Sequence, residues 1–192
     1  PAPPAIRLGD AGRTVVDVFP TEPADRLLLP GFTAEVRLTD GVTPDEARER
    51  MGRIYHADHR SDPAVALVLG AGNVSSIGPM DALSQLFAED RVVLLKLNPV
   101  NDYLAPHLDV ALRPLIRGGW LRILTGGADV GRACAEHPDV DVVHLTGSDR
   151  TYEAIVFGTG ADAPERRRTG SPRLTKPVTA ELGNVTPVIV VP

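Results

Sequence analysis

The sequence predicts an α/β domain built on a mostly parallel, doubly wound sheet of the Rossmann-like kind. Three observations predict it. Four short runs from residue 64 onward are apolar but for Arg122 and His144, which suits strands covered on both faces. Each of the first three is followed by a segment with helical spacing, as crossover connections require. The runs also end in turns rich in Gly, Asn, Ser, Thr or Asp, and ligands of such sheets bind outside the carboxyl ends of the strands.

Residues 1–5 are rich in proline and are expected to fray. Thr14 to Phe19 reads as a short strand, and Thr33 to Leu38 alternates in polarity as a half-exposed strand does. A helix begins at Thr43-Pro44-Asp45-Glu46, with Thr43 as N-cap, Pro44 in the first helical position and Glu46 closing a capping box. Val65 to Leu69 is the first buried strand and ends at Gly70-Ala71-Gly72. A helix opens near Pro79 with Met80, Leu83, Leu86 and Phe87 on one face. Val92 to Leu95 is the second strand. Leu104, Leu108, Ala111, Leu112, Leu115 and Ile116 then keep helical spacing; Pro114 interrupts them and Gly118-Gly119 ends them. Leu121 to Leu124 is the third strand, 128–136 a short helix, Val142 to Leu145 the fourth strand and 150–157 helical. Residues 158–173 break the pattern and read as a surface loop insertion carrying the solvated Arg166-Arg167-Arg168 run. Val188 to Val191 is a fifth strand. The division expected is an N-terminal segment, 1–63, packing on the core of an α/β domain, 64–192.

Composition narrows the function classes. The 192 residues carry a net charge of −5, with 43% hydrophobic and 23% charged side chains, an ordinary globular balance. No basic face stands out, so nucleic acid is not an expected partner. The single Cys134 cannot form an internal disulfide. No apolar run approaches the roughly 20 residues needed to span a bilayer, and the start has neither the basic nor the apolar region of a signal peptide; membrane association is not expected and the cytoplasm is the expected compartment. His56 and His59, with Asp58 and Asp62 near, lack a third ligand placed by sequence, so no metal is expected. Ser75-Ser76 lacks the Gly-x-Ser-x-Gly elbow of a hydrolase.

Four stretches carry chemistry: Gly72-Asn73, Lys96-Leu97-Asn98-Pro99, Gly127-x-x-x-Gly131 with His137, Asp141 and Thr146-Gly147-Ser148, and Glu181-Leu182-Gly183-Asn184-x-x-Pro187. An amide at a strand end can donate to a ligand oxygen, a lysine at the end of a buried strand can reach ribose hydroxyls or a phosphate, and glycines let backbone approach a dinucleotide closely. Gly147 and Ser148 stand at a strand-to-helix turn, where N–H groups and a hydroxyl can meet a pyrophosphate. His137 and Asp141 precede a strand and read as structural.

Together these stretches resemble the aldehyde dehydrogenase superfamily, well over residues 64–192 and loosely before. The resemblance implies NAD or NADP as cofactor, an aldehyde as substrate and a carboxylic acid as product. It implies that Asn73 helps form the oxyanion hole and that Glu181 activates the water that releases the acid. It places Lys96, Gly127, Gly131, Thr146, Gly147, Ser148 and Leu182 against the cofactor. Asn73 and Lys96 keep the family's spacing of 23 residues. Three departures stand out: Asn73 lacks the usual aromatic and proline neighbours, Pro99 occupies a position where the family often has a ribose-binding Glu, and Asn184 replaces a second Gly. The family's nucleophilic Cys follows the Glu by a few tens of residues, whereas this sequence ends eleven residues after Glu181. Cys134 matches no family nucleophile and reads as a small buried hydrophobe. The expectation is therefore a cofactor-binding fragment, at most binding nucleotide by itself, of a parent that forms homo-oligomers. The alternatives are a non-catalytic nucleotide-binding module of the same fold and an acyl-activating reductase of the same superfamily; retention of Glu181 argues for hydrolytic release.

Overall fold

The computed structural model describes residues 4–56, 58 and 62–183. The chain divides into two compact units, Pro1–His59 and Arg60–Pro192.

The first unit is a three-stranded antiparallel sheet in the order β1-β2-β3. Its elements are β1 Ala5–Leu8, β2 Thr14–Phe19, α1 Pro23–Leu28, β3 Ala34–Arg37 and α2 Pro44–Arg50. Strand pairing begins at Ala5, opposite Asp17, so Ala5 is not frayed as expected; residues 1–3 lie outside the described residues. On one face Arg7 joins Asp17 at 3.2 Å and Glu35 at 2.6 Å. The capping box at α2 forms as the sequence predicts: the Glu46 amide donates to Thr43 Oγ1 at 3.2 Å, and the Thr43 amide donates to the Glu46 carboxylate at 2.8 Å. The helix α1 was not anticipated. Glu22 caps it and Asp25 accepts from the amides of Thr21 and Glu22 at 2.9 Å each.

The second unit alternates strand and helix: β4 Val65–Leu69, α3 Ile77–Phe87, β5 Val92–Lys96, α4 Ala105–Ala111, α5 Arg113–Arg117, β6 Leu121–Leu124, α6 Ala128–Glu136, β7 Val142–Gly147, α7 Asp149–Val156, α8 Ala163–Thr169 and β8 Val178–Leu182. Its five strands lie in the order β6-β5-β4-β7-β8 and are all parallel. The chain starts in the middle, winds outward to β6, then returns to the other side of β4. The direction reverses between β4 and β7, which is where a doubly wound sheet opens a crevice for a ligand.

The side chains of β4 alternate between two cores. Ala66 and Val68 pack with Ala82, Val93, Leu95 and Leu121 on one face; Leu67 and Leu69 pack with Ala135, Val140, Val143, Leu145 and Leu174 on the other. This is why the strands read as largely apolar runs. Pro114 divides the predicted long helix into α4 and α5, as expected.

Three expectations need correction. The helix α3 begins at Ile77, and its buried residues are Gly78, Ala82 and Gln85; Met80 is 64% exposed. Small side chains bring α3 down onto the sheet, and the large ones flank the contact. Residues 158–173 are not simply a loop. They hold α8, a helix with no buried residue, tied by Arg166–Asp162, Arg168–Glu165 and Arg167–Glu153 ion pairs and ended by Gly170 at φ 65°. The sheet also gains a strand not foreseen, β8, which takes up Glu181 and Leu182. The strand expected over Val188–Val191 lies outside the described residues.

Candidate functional site

A cleft of about 980 Å³ opens across the carboxyl ends of β4, β5, β7 and β8. Four strand ends supply most of its lining. Gly70, Gly72 and Asn73 follow β4; Lys96, Asn98 and Pro99 close β5; Thr146, Gly147 and Ser148 close β7; Glu181, Leu182 and Gly183 close β8. Gly131 and Arg132 reach it from α6. Of the residues that the resemblance places at the catalytic and cofactor positions, all described, only Gly127 stands outside this lining. It is the N-cap of α6, a Cβ there would lie 2.7 Å from Asp129 Oδ1, and Ala128 takes its place in the wall.

Lys96 is 6% exposed at the end of its strand. Burial pushes its ammonium below the ordinary value of 10.5, while the carboxylates of Asp102 and Asp129, and Cys134 beyond them, oppose that shift. Asp102 has a buried oxygen, Oδ1, with no hydrogen-bond partner among the described residues.

The turns are held from beneath. Asn101 is buried and donates its amide to Ala71 O at 3.0 Å, joining the turn after β5 to the turn after β4. Asn98 Oδ1 accepts from the Val100 amide at 3.1 Å. The β4 turn also meets α3 closely: a Cβ on Gly78 would lie 3.2 Å from Gly70 Cα.

At the β7 corner two hydroxyls already have partners. Thr146 Oγ1 donates to Asp81 on α3 at 2.9 Å, and Ser148 Oγ accepts from the Thr151 amide at 3.2 Å as N-cap of α7. Asp81 also lies 3.6 Å from His144 Nε2, and His144 Nδ1 is 2.8 Å from Thr179 Oγ1 on β8. Register places Glu181 opposite Thr146 and Leu182 opposite Gly147. Glu181 is exposed at the end of β8. Asn73 is likewise exposed at the rim.

His137 and Asp141 take structural places. The Val65 amide donates to Asp141 Oδ2 at 2.7 Å, and His137 Nδ1 accepts from the Asp139 amide at 3.2 Å. Cys134 is half-buried against the second core. His56 Nε2 lies 3.2 Å from Met51 O, and His59 lies outside the described residues. Among the described residues no group of three or more His, Cys, Asp and Glu could hold a metal, and no helix is long and apolar enough to cross a membrane.

Sequence reasoning missed Asp81, Asn101, Arg132 and Arg150. The first two are fixed by partners 65 and 30 residues away, which no local pattern shows. Arg150 could have been found as a cation in the first helical turn after a strand, whereas Arg132 lies a turn deeper in α6.

Fold and cleft define a doubly wound α/β domain with a ligand crevice at its switch point. In comparison with known proteins, the aldehyde dehydrogenase family model matches residues 116–192, a stretch within the one over which the sequence resembles that family. The match does not reach Asn73 or Lys96, whose neighbours depart from the family pattern. The chain is 41% identical over 73 residues to a chloroplastic betaine aldehyde dehydrogenase of Beta vulgaris, a stretch that is 38% of this chain and 12% of that protein. It is 41% identical over 73 residues to peroxisomal aminoaldehyde dehydrogenase 2 of Pisum sativum, with the same coverage of 38% and 12%. Among solved structures, Proline Utilization A from Corynebacterium freiburgense superposes with a TM-score of 0.51 at 22% identity, covering 71% of this chain and 13% of that one; this likeness speaks for the fold. The matched stretches thus span about an eighth of these relatives' own length.

Proposed function

We infer that this chain is the nucleotide-binding part of an NAD(P)-dependent aldehyde dehydrogenase, an enzyme that oxidises an aldehyde to a carboxylic acid and assembles as a homo-oligomer. One observation carries the reading: Lys96 and the Thr146–Ser148 corner line the same cleft at the point where the strand order reverses.

The residues fit a dinucleotide. The cleft volume of about 980 Å³ is at the top of the range usual for cofactor sites, roughly 300–1,000 Å³. Gly70, Gly72, Gly131 and Gly147 leave backbone bare at its walls. When bound, the nicotinamide supplies the hydride acceptor. Lys96 holds the adenosine side and Leu182 packs against the cofactor. Gly147 and Ser148 bring the start of α7 to the pyrophosphate. Asn73 offers an amide N–H to an oxygen that gains negative charge, and Glu181 offers a carboxylate to take a proton from water.

Titration calorimetry of the chain with NAD⁺ and NADP⁺ tests this. One nucleotide bound per chain is expected, and no heat from either sinks the reading. A second reading, a nucleotide-binding module without chemistry, is favoured by the exposure of Glu181. Aldehyde-dependent absorbance at about 340 nm, the reduced-nicotinamide band, from the full-length protein separates the two.

Lys96 carries a further expectation. Replacing it by Met should weaken nucleotide binding roughly ten-fold or more, since a charge-assisted contact is lost. The same change should raise stability, because a buried cation is exchanged for an apolar side chain of similar length. The sign with pH follows from the lowered pKa. Between the folded value and 10.5 the unfolded chain holds more protons, so wild-type stability rises with pH through that window. Melting curves taken across it should show the gap between the Met variant and wild type narrowing as pH rises; a constant gap refutes the argument.

A further inference from the structure

The cations of the cleft are placed for more negative charge than a diphosphate carries. Among the described lining residues Lys96, Arg132 and Arg150 are cationic and Glu181 alone is anionic, in a chain whose net charge is −5. Arg150 sits in the first turn of α7, beside the corner assigned to the pyrophosphate. Lys96 and Arg132 lie elsewhere. Lys96 ends β5, the second strand of the winding. In doubly wound folds the end of that strand reaches the adenosine ribose: a carboxylate there takes the 2′-hydroxyl of NAD, and a nearby cation accommodates a 2′-phosphate.

Leu94 packs against the core that holds Ala135 of α6, and strand alternation puts Lys96 on the same face of the sheet, where that helix's Asp129 and Cys134 act on its charge. Arg132 is on the same helix, between those two positions, and lines the same cleft. It is exposed, and its guanidinium has no ion pair or hydrogen bond among the described residues. Five arginines of this unit are tied to carboxylates: Arg91 to Glu89, Arg166 to Asp162, Arg167 to Glu153, Arg168 to Glu165 and Arg173 to Glu136; among the described arginines without such a partner, Arg132 and Arg150 are the two that line the cleft. The segment after Lys96 meets the cleft with Leu97, Asn98 and Pro99, so it sets no carboxylate against a phosphate. Asp129 and Asp102 are near Lys96 but outside the lining; Asp129 turns its oxygen over Gly127.

We propose that this cleft selects NADP over NAD, with Arg132 of α6 and Lys96 of β5 gripping the 2′-phosphate of the adenosine ribose between them. Arg132 is the specificity-determining residue, because its planar fork can meet a phosphate with two N–H groups. The proposal rests on the reading of the cleft as a nucleotide site.

Calorimetry with the chain, using NADP⁺, NAD⁺ and coenzyme A as separate probes, tests it. Coenzyme A carries its ribose phosphate at the 3′ position and controls for charge without the right geometry. NADP⁺ is expected to bind roughly ten-fold or more tighter than NAD⁺, and tighter than coenzyme A. In Arg132→Gln the NADP⁺ to NAD⁺ ratio should fall toward one, and in Arg132→Glu it should invert. Arg132 is exposed, and circular dichroism of both variants should match wild type. Equal or tighter binding of NAD⁺, tighter binding of coenzyme A, or a ratio unmoved in the variants overturns the preference and leaves the nucleotide reading standing. Failure of all three probes to bind overturns both.

Discussion

Replacing Gly78 by Val is expected to abolish measurable nucleotide binding and to lower the melting temperature. Gly78 lies in the first turn of α3, buried against the end of β4, and even a lone Cβ would stand 3.2 Å from Gly70 Cα and 3.6 Å from a methyl of Leu95. Two further methyl groups cannot enter that contact unless helix and strand separate. The Gly70 amide also donates to Lys96 O at 3.0 Å, so moving Gly70 disturbs the end of β5 as well. Overpacking of this kind costs about 1–3 kcal/mol. The loss of binding comes from displacement of two of the cleft's walls by a distance comparable to a hydrogen bond's tolerance. Gly78→Ala makes a graded control. Alanine gains roughly 1 kcal/mol of helix preference over glycine, which offsets part of its single close contact. If the Val variant binds nucleotide as wild type does, the close packing of α3 on β4 does not shape the site.

The second large effect is on stability. Leu67→Ala should destabilise the α/β unit by about 3 kcal/mol, within the roughly 2–5 kcal/mol seen for such truncations. Leu67 is fully buried at the middle of the central strand, flanked by β5 and β7, and packs into the core with Val143 and Leu145. Val143 and Leu145 sit on a hydrogen-bonded sheet and cannot collapse into the gap. At about 2–4 °C per kcal/mol for a protein of this size, the melting temperature should fall by roughly 6–12 °C. Leu27→Ala is the counterpart: Leu27 is 81% exposed on α1, so its loss should stay within about 0.5 kcal/mol. Denaturant melts of the two variants check both values, and a Leu67→Ala cost below about 1 kcal/mol contradicts the packing described.

The strands β4, β5, β6 and β7 were legible because a parallel strand covered on both faces has no reason to alternate in polarity, and their sequences do not. The strand β8 was not legible. Val-Thr-Ala-Glu-Leu is largely exposed, and it becomes a strand through pairing with β7, a partner about 35 residues earlier. The helix α8 was missed for a related reason. It buries nothing, and its Arg-Arg-Arg run is read as helix only once Asp162, Glu165 and Glu153 are seen beside it. The face of α3 was misread because apolar periodicity weighs large side chains, and this helix approaches its sheet through glycine and alanine.

Of the candidate site, sequence alone determined the places where strands end, and with them Lys96, Asn73 and the Thr146–Ser148 corner. That follows from local chemistry: an apolar run must stop, and the polar residues that stop it lie at the edge of the sheet. Only the tertiary structure decided the order of the strands, which sets β7 beside β4 and turns separate strand ends into one cleft. It also decided the supports, Asn101 beneath Ala71 and Asp81 beneath Thr146, because a hydrogen bond between residues far apart in the chain is a property of the fold and leaves no mark on either local sequence.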